Sequence, residues 1–262
     1  NEGMDRSAVK EGKIELTAAA DGLFRVDSAR LNAVNAQEDV MIATRHGGTA
    51  VRRGDKLAGM RVIPLVIEEE KLRRAEEAAG KQPLLELLPW KLKTAAIVTT
   101  GSEVAKGLIQ DSFTPVVERK LAEFGIRTVE RRTPGDGIEA VKSAILEVKA
   151  ARPDLILCTG GMSVDPDDNT PGAVKRSGAR IVTYGAPVLP GAMFLLGYFE
   201  DGTPILGLPG CVMYAKRTIF DLVLPKAAAG VPITRADIAV LGEGGLCLGC
   251  QVCTYPNCGF GK

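Results

Sequence analysis

Residues 155–171 read LILCTGGMSVDPDDNTP. An apolar run suited to a buried strand, LILC, gives way to two glycines, then to the adjacent carboxylates Asp167 and Asp168, and then to Thr170-Pro171. A tight turn needs one glycine or a Pro-Gly pair, and neither requires carboxylates just ahead of a helix. Thr170 suits an N-cap and Pro171 the first helical turn, where a missing N–H is harmless. The stretch therefore predicts a strand, a polar glycine-rich loop at its carboxyl end, and a helix.

The same order of strand, loop and helix extends outward from it, beginning at Thr94. Upstream, AAIVTT is a strand run that stops at Gly101, and Phe113, Val116, Val117, Leu121 and Phe124 form one stripe of a helix ended by Gly125. RTVERRT is a further strand. Asp136 and Glu139 have capping-box spacing ahead of a helix whose apolar face is Ile138, Val141, Ile145 and Val148. Downstream, RIVTYG and PILGL read as strands, and after GLPG the residues Val212, Ala215, Ile219 and Leu222 mark a closing helix. Short loops between alternating strands and helices predict an α/β fold: a mostly parallel sheet in three layers, with helices on both faces. Ligands of such sheets bind beyond the carboxyl ends of the strands. TTGSE, TGGMSVDPDD and GLPG all fall there, so three separated segments are expected to meet at one crevice.

Before this domain the pattern differs. Residues 12–67 alternate β-like runs (GKIEL, GLFRV, DVMIAT, MRVIPLVI) with Gly- and Asp-rich turns, plus a short helix over Ser28 to Asn35. A small β-rich domain is expected over residues 1–67. Residues 68–93 are expected to link it to the rest, first as a charged helix in which Glu69 and Glu70 stand four before Arg73 and Arg74, then as the apolar link PLLELLPW. The α/β domain is expected over residues 94–230 and a Cys-rich tail over residues 231–262.

Composition narrows the chemistry. Of 262 residues, 45% are apolar and 25% charged, with a formal net charge of +1, so nothing favours a nucleic-acid surface. No apolar run nears the roughly 20 residues that span a bilayer, and no signal-peptide pattern is visible, so no membrane partner and a cytoplasmic location are expected. The chain opens on Asn1 rather than methionine, as a fragment or processed form would. The single histidine, His46 in RHGG, reads as a solvated turn residue, and one histidine cannot supply a His-rich metal site. Acid–base and metal chemistry must rest on carboxylates, lysines and thiols.

At the strand ends, paired glycines let backbone N–H groups approach a ligand closely, and helix N-termini favour anions. TGG and GLPG therefore suit a phosphate or a phosphorylated heterocycle. Asp167 and Asp168, with Asp111 or Glu103, suit Mg²⁺, which takes oxygen ligands together with substrate phosphates. The plainer reading of Asp168 is a helix cap.

TTGSEV, GLIQDS, TGGMSVDPDDNTP and GLPG resemble, in order and approximate spacing, the molybdopterin-binding domain shared by molybdopterin adenylyltransferases and molybdopterin molybdotransferases. The resemblance covers about residues 94–228. It implies that Thr100, Gly101, Ser102, Glu103, Thr159, Gly160, Gly161, Ser163, Asp167, Pro190, Gly191, Gly207, Leu208, Pro209 and Gly210 line a molybdopterin site. It also implies that Asp168 and Asp111 serve catalysis, and that molybdopterin or its adenylylated form, ATP, Mg²⁺ and molybdate are the ligands, in a homo-oligomeric transferase. Three departures stand out. Ala192 replaces the lysine of the family's P-G-K-P, Cys211 replaces the asparagine after GLPG, and Phe113 stands where a D-S-N asparagine would be. Loss of these polar groups leaves a non-catalytic carrier or redox-linked sensor as the rival reading. DPDDNT is also similar to the G-G-x-G-P-T-x-D-D-x-T of the competence-damage-inducible family, which implies hydrolysis of a nucleotide pyrophosphate.

The tail is a second signal. Cys247, Cys250, Cys253 and Cys258 follow C-x₂-C-x₂-C-x₄-C. Zinc sites usually pair their cysteines across a longer loop. Three cysteines at successive x₂ spacing instead resemble the ferredoxin run C-x₂-C-x₂-C-x₃-C-P, with one extra residue here and Pro256 ahead of the fourth cysteine. An iron–sulfur cluster is expected, with zinc as the alternative. The segment is poor in large apolar side chains, so a bound metal is expected to order it.

Overall fold

The computed structural model describes residues 3–101, 111–162 and 168–262, and the chain divides between Trp90 and Lys91 into two units. In the first, β1 (Met4–Arg6), β2 (Lys13–Ala18), β3 (Gly22–Val26), α1 (Ser28–Asn35), β4 (Val40–Thr44), β5 (Thr49–Val51), β6 (Lys56–Val62), α2 (Glu69–Ala79) and β7 (Leu85–Leu88) follow in order. Strands β1, β2, β6 and β4 form one antiparallel sheet in that order, and β5, β3 and β7 form another. Met4, Leu16, Phe24, Val51, Leu57 and Leu87 fill the core between them.

Two expectations for this region change. The run MRVIPLVI does not continue as a strand. β6 ends at Val62, and Ile63, Leu65 and Val66 beyond it are exposed, because Pro64 has no N–H to extend the ladder. PLLELLPW, expected as an apolar link, contains a strand: its alternating Leu85 and Leu87 are buried and β7 pairs antiparallel with β3. On α2, Arg74 pairs with Glu70 at 3.1 Å as its spacing implies, whereas Arg73 pairs with Glu70 and Glu77. His46 is exposed beside its turn.

The second unit continues with β8 (Thr94–Thr99), α3 (Phe113–Ala122), β9 (Arg127–Arg132), α4 (Ile138–Ala150), β10 (Leu155–Thr159), α5 (Thr170–Arg176), β11 (Arg180–Tyr184), β12 (Leu195–Tyr198), β13 (Pro204–Leu208), α6 (Ile219–Ala228) and α7 (Arg235–Ala239). The sheet order is β11-β12-β13-β10-β8-β9. Strands β13, β10, β8 and β9 are mutually parallel, and only β12 runs against the rest. β10 is central and all five of its residues are buried, which is why its sequence is an unbroken apolar run. Alternate residues serve opposite faces. Ala96, Val98, Ile156, Cys158 and Ile205 pack with Val141, Ala144, Ile145 and Val148 of α4 and with Ala173 and Val174 of α5. The intervening Ile97, Leu155, Leu157 and Leu206 are buried on the other face, where α3 and α6 bury Val117, Leu121, Phe220, Val223 and Leu224. The result is the three-layer α/β arrangement. Truncating a central residue such as Ile156 to alanine should cost about 2–5 kcal/mol.

Helix starts differ from the expected ones where capping decides. The helix expected from Val212 begins at Ile219. Thr218 and Asp221 form a reciprocal capping box there, while Gly210–Met213 is a short 3₁₀ turn. Asp136 and Glu139 make no capping box: Gly137 occupies the N-cap of α4, and Glu139 pairs with Lys142 and Arg176 instead. For α5 the N-cap is Asn169, so Thr170 lies inside the first turn. No helix among the described residues is long and apolar enough to cross a membrane.

Candidate functional site

The carboxyl ends of β8, β10 and β13 lie side by side and in register. Thr159 is paired with Thr99 on one side and with Leu208 on the other. The chain leaves β8 and β10 through the positive-φ glycines Gly101, Gly160 and Gly161, and leaves β13 through Pro209 into a 3₁₀ turn. Thr100 donates to the Thr159 carbonyl from its backbone N–H at 2.8 Å and from Oγ1 at 3.2 Å. Gly160 has φ +80°, and a β-carbon on it would lie 2.4 Å from the Thr100 carbonyl oxygen. Gly161 has φ +54°, and its β-carbon would lie 2.9 Å from Thr170 Oγ1. Thr170 closes the loop by donating from Oγ1 to the Gly160 carbonyl at 2.9 Å and from its N–H to the Gly161 carbonyl at 3.2 Å. The expected meeting of Thr100, Thr159, Gly160 and Gly161 is thus a structural fact, and it rests on close backbone approach. Thr159 is fully buried, and its Oγ1 has no hydrogen-bond partner among the described residues.

Other candidate residues have structural partners of their own. Gly207 makes room for Met162, whose Cε and Sδ would lie 2.5 and 2.7 Å from a β-carbon there. Leu208 is buried, and Pro209 caps the 3₁₀ turn that Gly210 opens. Gly191, at φ +130°, abuts Ile219, and Ile219 donates to the Pro190 carbonyl at 3.2 Å. This loop precedes β12, whose Leu195 pairs with Gly207, so it lies at the same sheet edge as the end of β13. Ser102, Glu103, Ser163 and Asp167 lie outside the described residues, whereas Gly101 ends the first described segment at φ +148°.

The two aspartates separate. Asp111 accepts from the N–H groups of Phe113 and Thr114 at 2.8 and 3.0 Å and from the Thr114 hydroxyl, so its carboxylate closes the first turn of α3. That is a capping role, and it occupies both oxygens. Asp168 is half-buried just ahead of the Asn169 cap, near enough to Tyr184 to raise that phenol's pKa, second to burial. Among the described residues no three Cys, His, Asp or Glu side chains are grouped to hold a metal ion. The Mg²⁺ expected of Asp167 and Asp168 with Asp111 or Glu103 involves Asp167 and Glu103, which lie outside the described residues.

The four tail cysteines do come together. Cys247, Cys250, Cys253 and Cys258 line one cavity of about 460 Å³, joined by Pro190, Lys216 and Arg217. The tail is held in place by neighbours rather than by a core of its own. Leu189 donates to the Gly245 carbonyl and Cys247 to the Leu189 carbonyl, both at 2.8 Å. Phe260 is buried, and Tyr255 lies under the Arg217 guanidinium at 4.9 Å. These anchors sit in the preceding domain, which is why the tail's own composition hid them. Arg217 and Lys216 carried no sequence signal for this role. Cys211 is not among the lining residues, and burial raises its thiol pKa.

A further cavity of about 650 Å³ lies at the opposite end of the sheet, bordered by Leu92, Asp154, Pro204 and Lys149. Asp154 there accepts from the N–H groups of Lys93 and Thr94 at 2.8 and 2.9 Å, which fixes the start of β8. Ligands of parallel sheets bind beyond the carboxyl ends of the strands, the other end of the sheet from this cavity.

Among curated proteins, a CinA-like protein of Thermotoga maritima is 37% identical over 89 residues, covering 32% of this chain and 21% of that protein. A CinA-like protein of Pseudothermotoga lettingae is 33% identical over 86 residues, covering 33% and 21%. Molybdopterin molybdenumtransferase of Staphylococcus epidermidis is 31% identical over 153 residues, covering 51% of this chain and 35% of that protein. The match spans between a fifth and about a third of these relatives' length. Among solved structures, the molybdopterin biosynthesis enzyme MoaB of Thermus thermophilus aligns over 54% of this chain and 99% of its own, at 23% identity and TM-score 0.42. Residues 96–229, just over half of the 262, match the family model described as the probable molybdopterin binding domain, and the chain belongs to that family.

Proposed function

We propose that the crevice at the ends of β8, β10 and β13 binds molybdopterin by its terminal phosphate and transfers an adenylyl group to it from ATP. One observation carries this reading: three strand ends stand in register around Thr159, with no room for a β-carbon at Gly160. Such a wall is made of backbone, which a phosphate can approach closely. The buried Thr159 Oγ1, without a partner among the described residues, supports it, since such a hydroxyl at a strand end suits completion by a ligand oxygen or bound water.

In the transfer, a phosphate oxygen of the pterin attacks the α-phosphorus of ATP. The new P–O bond forms as the bond to the β-phosphate breaks, and pyrophosphate leaves with the electron pair. No protein nucleophile is needed, so the chain contributes position and electrostatics. Asp168 is the carboxylate proposed to act on the nucleotide side, and a divalent ion enters as the ATP complex. Molybdate insertion is less favoured, because Ala192 stands where the molybdotransferase motif has lysine. The transfer is redox-neutral, so an iron–sulfur cluster in the tail has no part in it.

The likeness to CinA-like proteins favours a second reading, hydrolysis of a nucleotide pyrophosphate. Anaerobic incubation of the full chain with molybdopterin and Mg·ATP separates the two. Adenylylated pterin and pyrophosphate in equal amounts are expected. Binding without product would leave a cofactor carrier, and hydrolysis of ADP-ribose without pterin binding would leave a pyrophosphatase.

A further inference from the structure

We propose that the cavity lined by the four tail cysteines is the site of an iron–sulfur cluster. The proposal is independent of the pterin crevice and stands on the tail alone.

Spacing and space agree. The run C-x₂-C-x₂-C-x₄-C brings all four residues to one cavity of about 460 Å³, and all six cysteines of the chain are free of disulfides. A single zinc ion would draw four thiolates to about 2.3 Å from one point. Among the described residues no three Cys, His, Asp or Glu side chains are grouped to hold a metal ion, so neither kind of site is pre-formed and the spacing decides between them. Three cysteines at successive x₂ intervals are the spacing of cluster ligands rather than of paired zinc ligands.

Charge agrees too. A cluster carried by four thiolates is anionic, and the lining holds two cations, Lys216 and Arg217, and no carboxylate. Lys216 Nζ donates to the Gln251 carbonyl at 2.9 Å and to the Cys250 carbonyl at 3.4 Å, fixing the segment between the second and third cysteines. Arg217 lines the cavity together with Cys253. It is held in place by Asp221 at 2.8 Å and by the Tyr255 ring. Hydrogen bonds and positive charge beside cluster sulfurs set both retention and reduction potential.

The site also has a place in the fold. Pro190 belongs to its lining, and the Pro190–Gly191 loop lies at the sheet edge where β13 ends. A cluster here would stand at the same edge as the strand-end crevice.

The test is anaerobic purification of the full chain, reconstitution with ferrous iron and sulfide, and assay of iron, acid-labile sulfide, zinc and visible absorption. Iron and sulfide in equal amounts with a brown chromophore are expected. Cys250→Ser and Cys253→Ser alter exposed residues, so they should match the circular dichroism and thermal midpoint of the metal-free wild type while failing to take up iron and sulfide. Cys211→Ser should retain both. Lys216→Met should keep the cluster but shift its midpoint potential to more negative values. Stoichiometric zinc without sulfide, or no bound metal after reconstitution, would overturn the proposal. So would a chromophore that survives both Cys250→Ser and Cys253→Ser.

Discussion

The Tyr255 hydroxyl donates to the Asp221 backbone carbonyl at 2.8 Å. Pro225 lies inside α6, four residues after Asp221, and has no N–H to bond that carbonyl. The tail therefore completes a helix of the preceding domain at the one backbone acceptor that its proline leaves open. Burial pushes the Tyr255 phenol above its ordinary pKa, so it remains a donor at neutral pH. Tyr255→Phe should cost about 1–3 kcal/mol, the usual cost of a buried group left unpaired. In a Pro225→Ala background, which restores an N–H, the same change should cost clearly less. Urea denaturation of the four proteins checks this, and equal costs in both backgrounds would detach Tyr255 from the proline.

Gly160→Ala tests the strand-end wall. Its φ of +80° and the 2.4 Å approach to the Thr100 carbonyl leave no place for a methyl group. Backbone strain alone should cost about 1–3 kcal/mol. Pterin affinity should fall together with stability, by thermal melts and anaerobic titration. Gly202→Ala is a control for strain alone, because Gly202 has φ +84° but nothing within 4 Å of its β-carbon. It should lose stability and keep affinity.

Asp168 and Asp111 should respond differently to the same change. Asp111 caps α3, so Asp111→Ala should cost about 1 kcal/mol and Asp111→Asn much less, with turnover retained in the latter. Asn keeps the shape and an accepting oxygen of the Asp168 side chain but not its charge, so Asp168→Asn should leave the thermal midpoint nearly unchanged and abolish adenylyl transfer. Turnover kept by Asp168→Asn, or lost in a stable Asp111→Asn, would reverse the assignment.

Thiol reactivity should sort the cysteines by burial. Cys158 is fully buried in β10, and burial pushes its thiol up to about 12, leaving almost no thiolate at pH 7. Cys250 and Cys253 are exposed. In metal-free, reduced protein, iodoacetamide followed by mass spectrometry should label those two first and Cys158 only after unfolding. Labelling of native Cys158 at a comparable rate would contradict its place in the core.

What the sequence made legible was local. LILC and AAIVTT read as buried strands because central parallel strands are apolar on both faces, and the glycines that stop them mark the crevice. Register supplied what sequence could not: Thr159 sits between residues 60 before it and 49 after it in the chain. β12 was missed because Leu195–Tyr198 merges with the strand PILGL after it, although Asp201-Gly202 between them is a hairpin signal. The Thr218–Asp221 capping box was likewise readable and would have placed the start of α6. The capping role of Asp111 was open to the same reading that was given to Asp168. Lys216 and Tyr255 were beyond reach, since their partners are 34 or 35 residues away across a loop and a helix.

The most direct test of the strand-end account is an anaerobic titration of the full chain with molybdopterin, run in parallel with ADP-ribose and GTP. The account predicts one saturable pterin site per chain, weakened by Gly160→Ala and by competing inorganic phosphate, with far weaker binding of the two nucleotides. Tight binding and hydrolysis of ADP-ribose, with no saturable binding of molybdopterin, would contradict it.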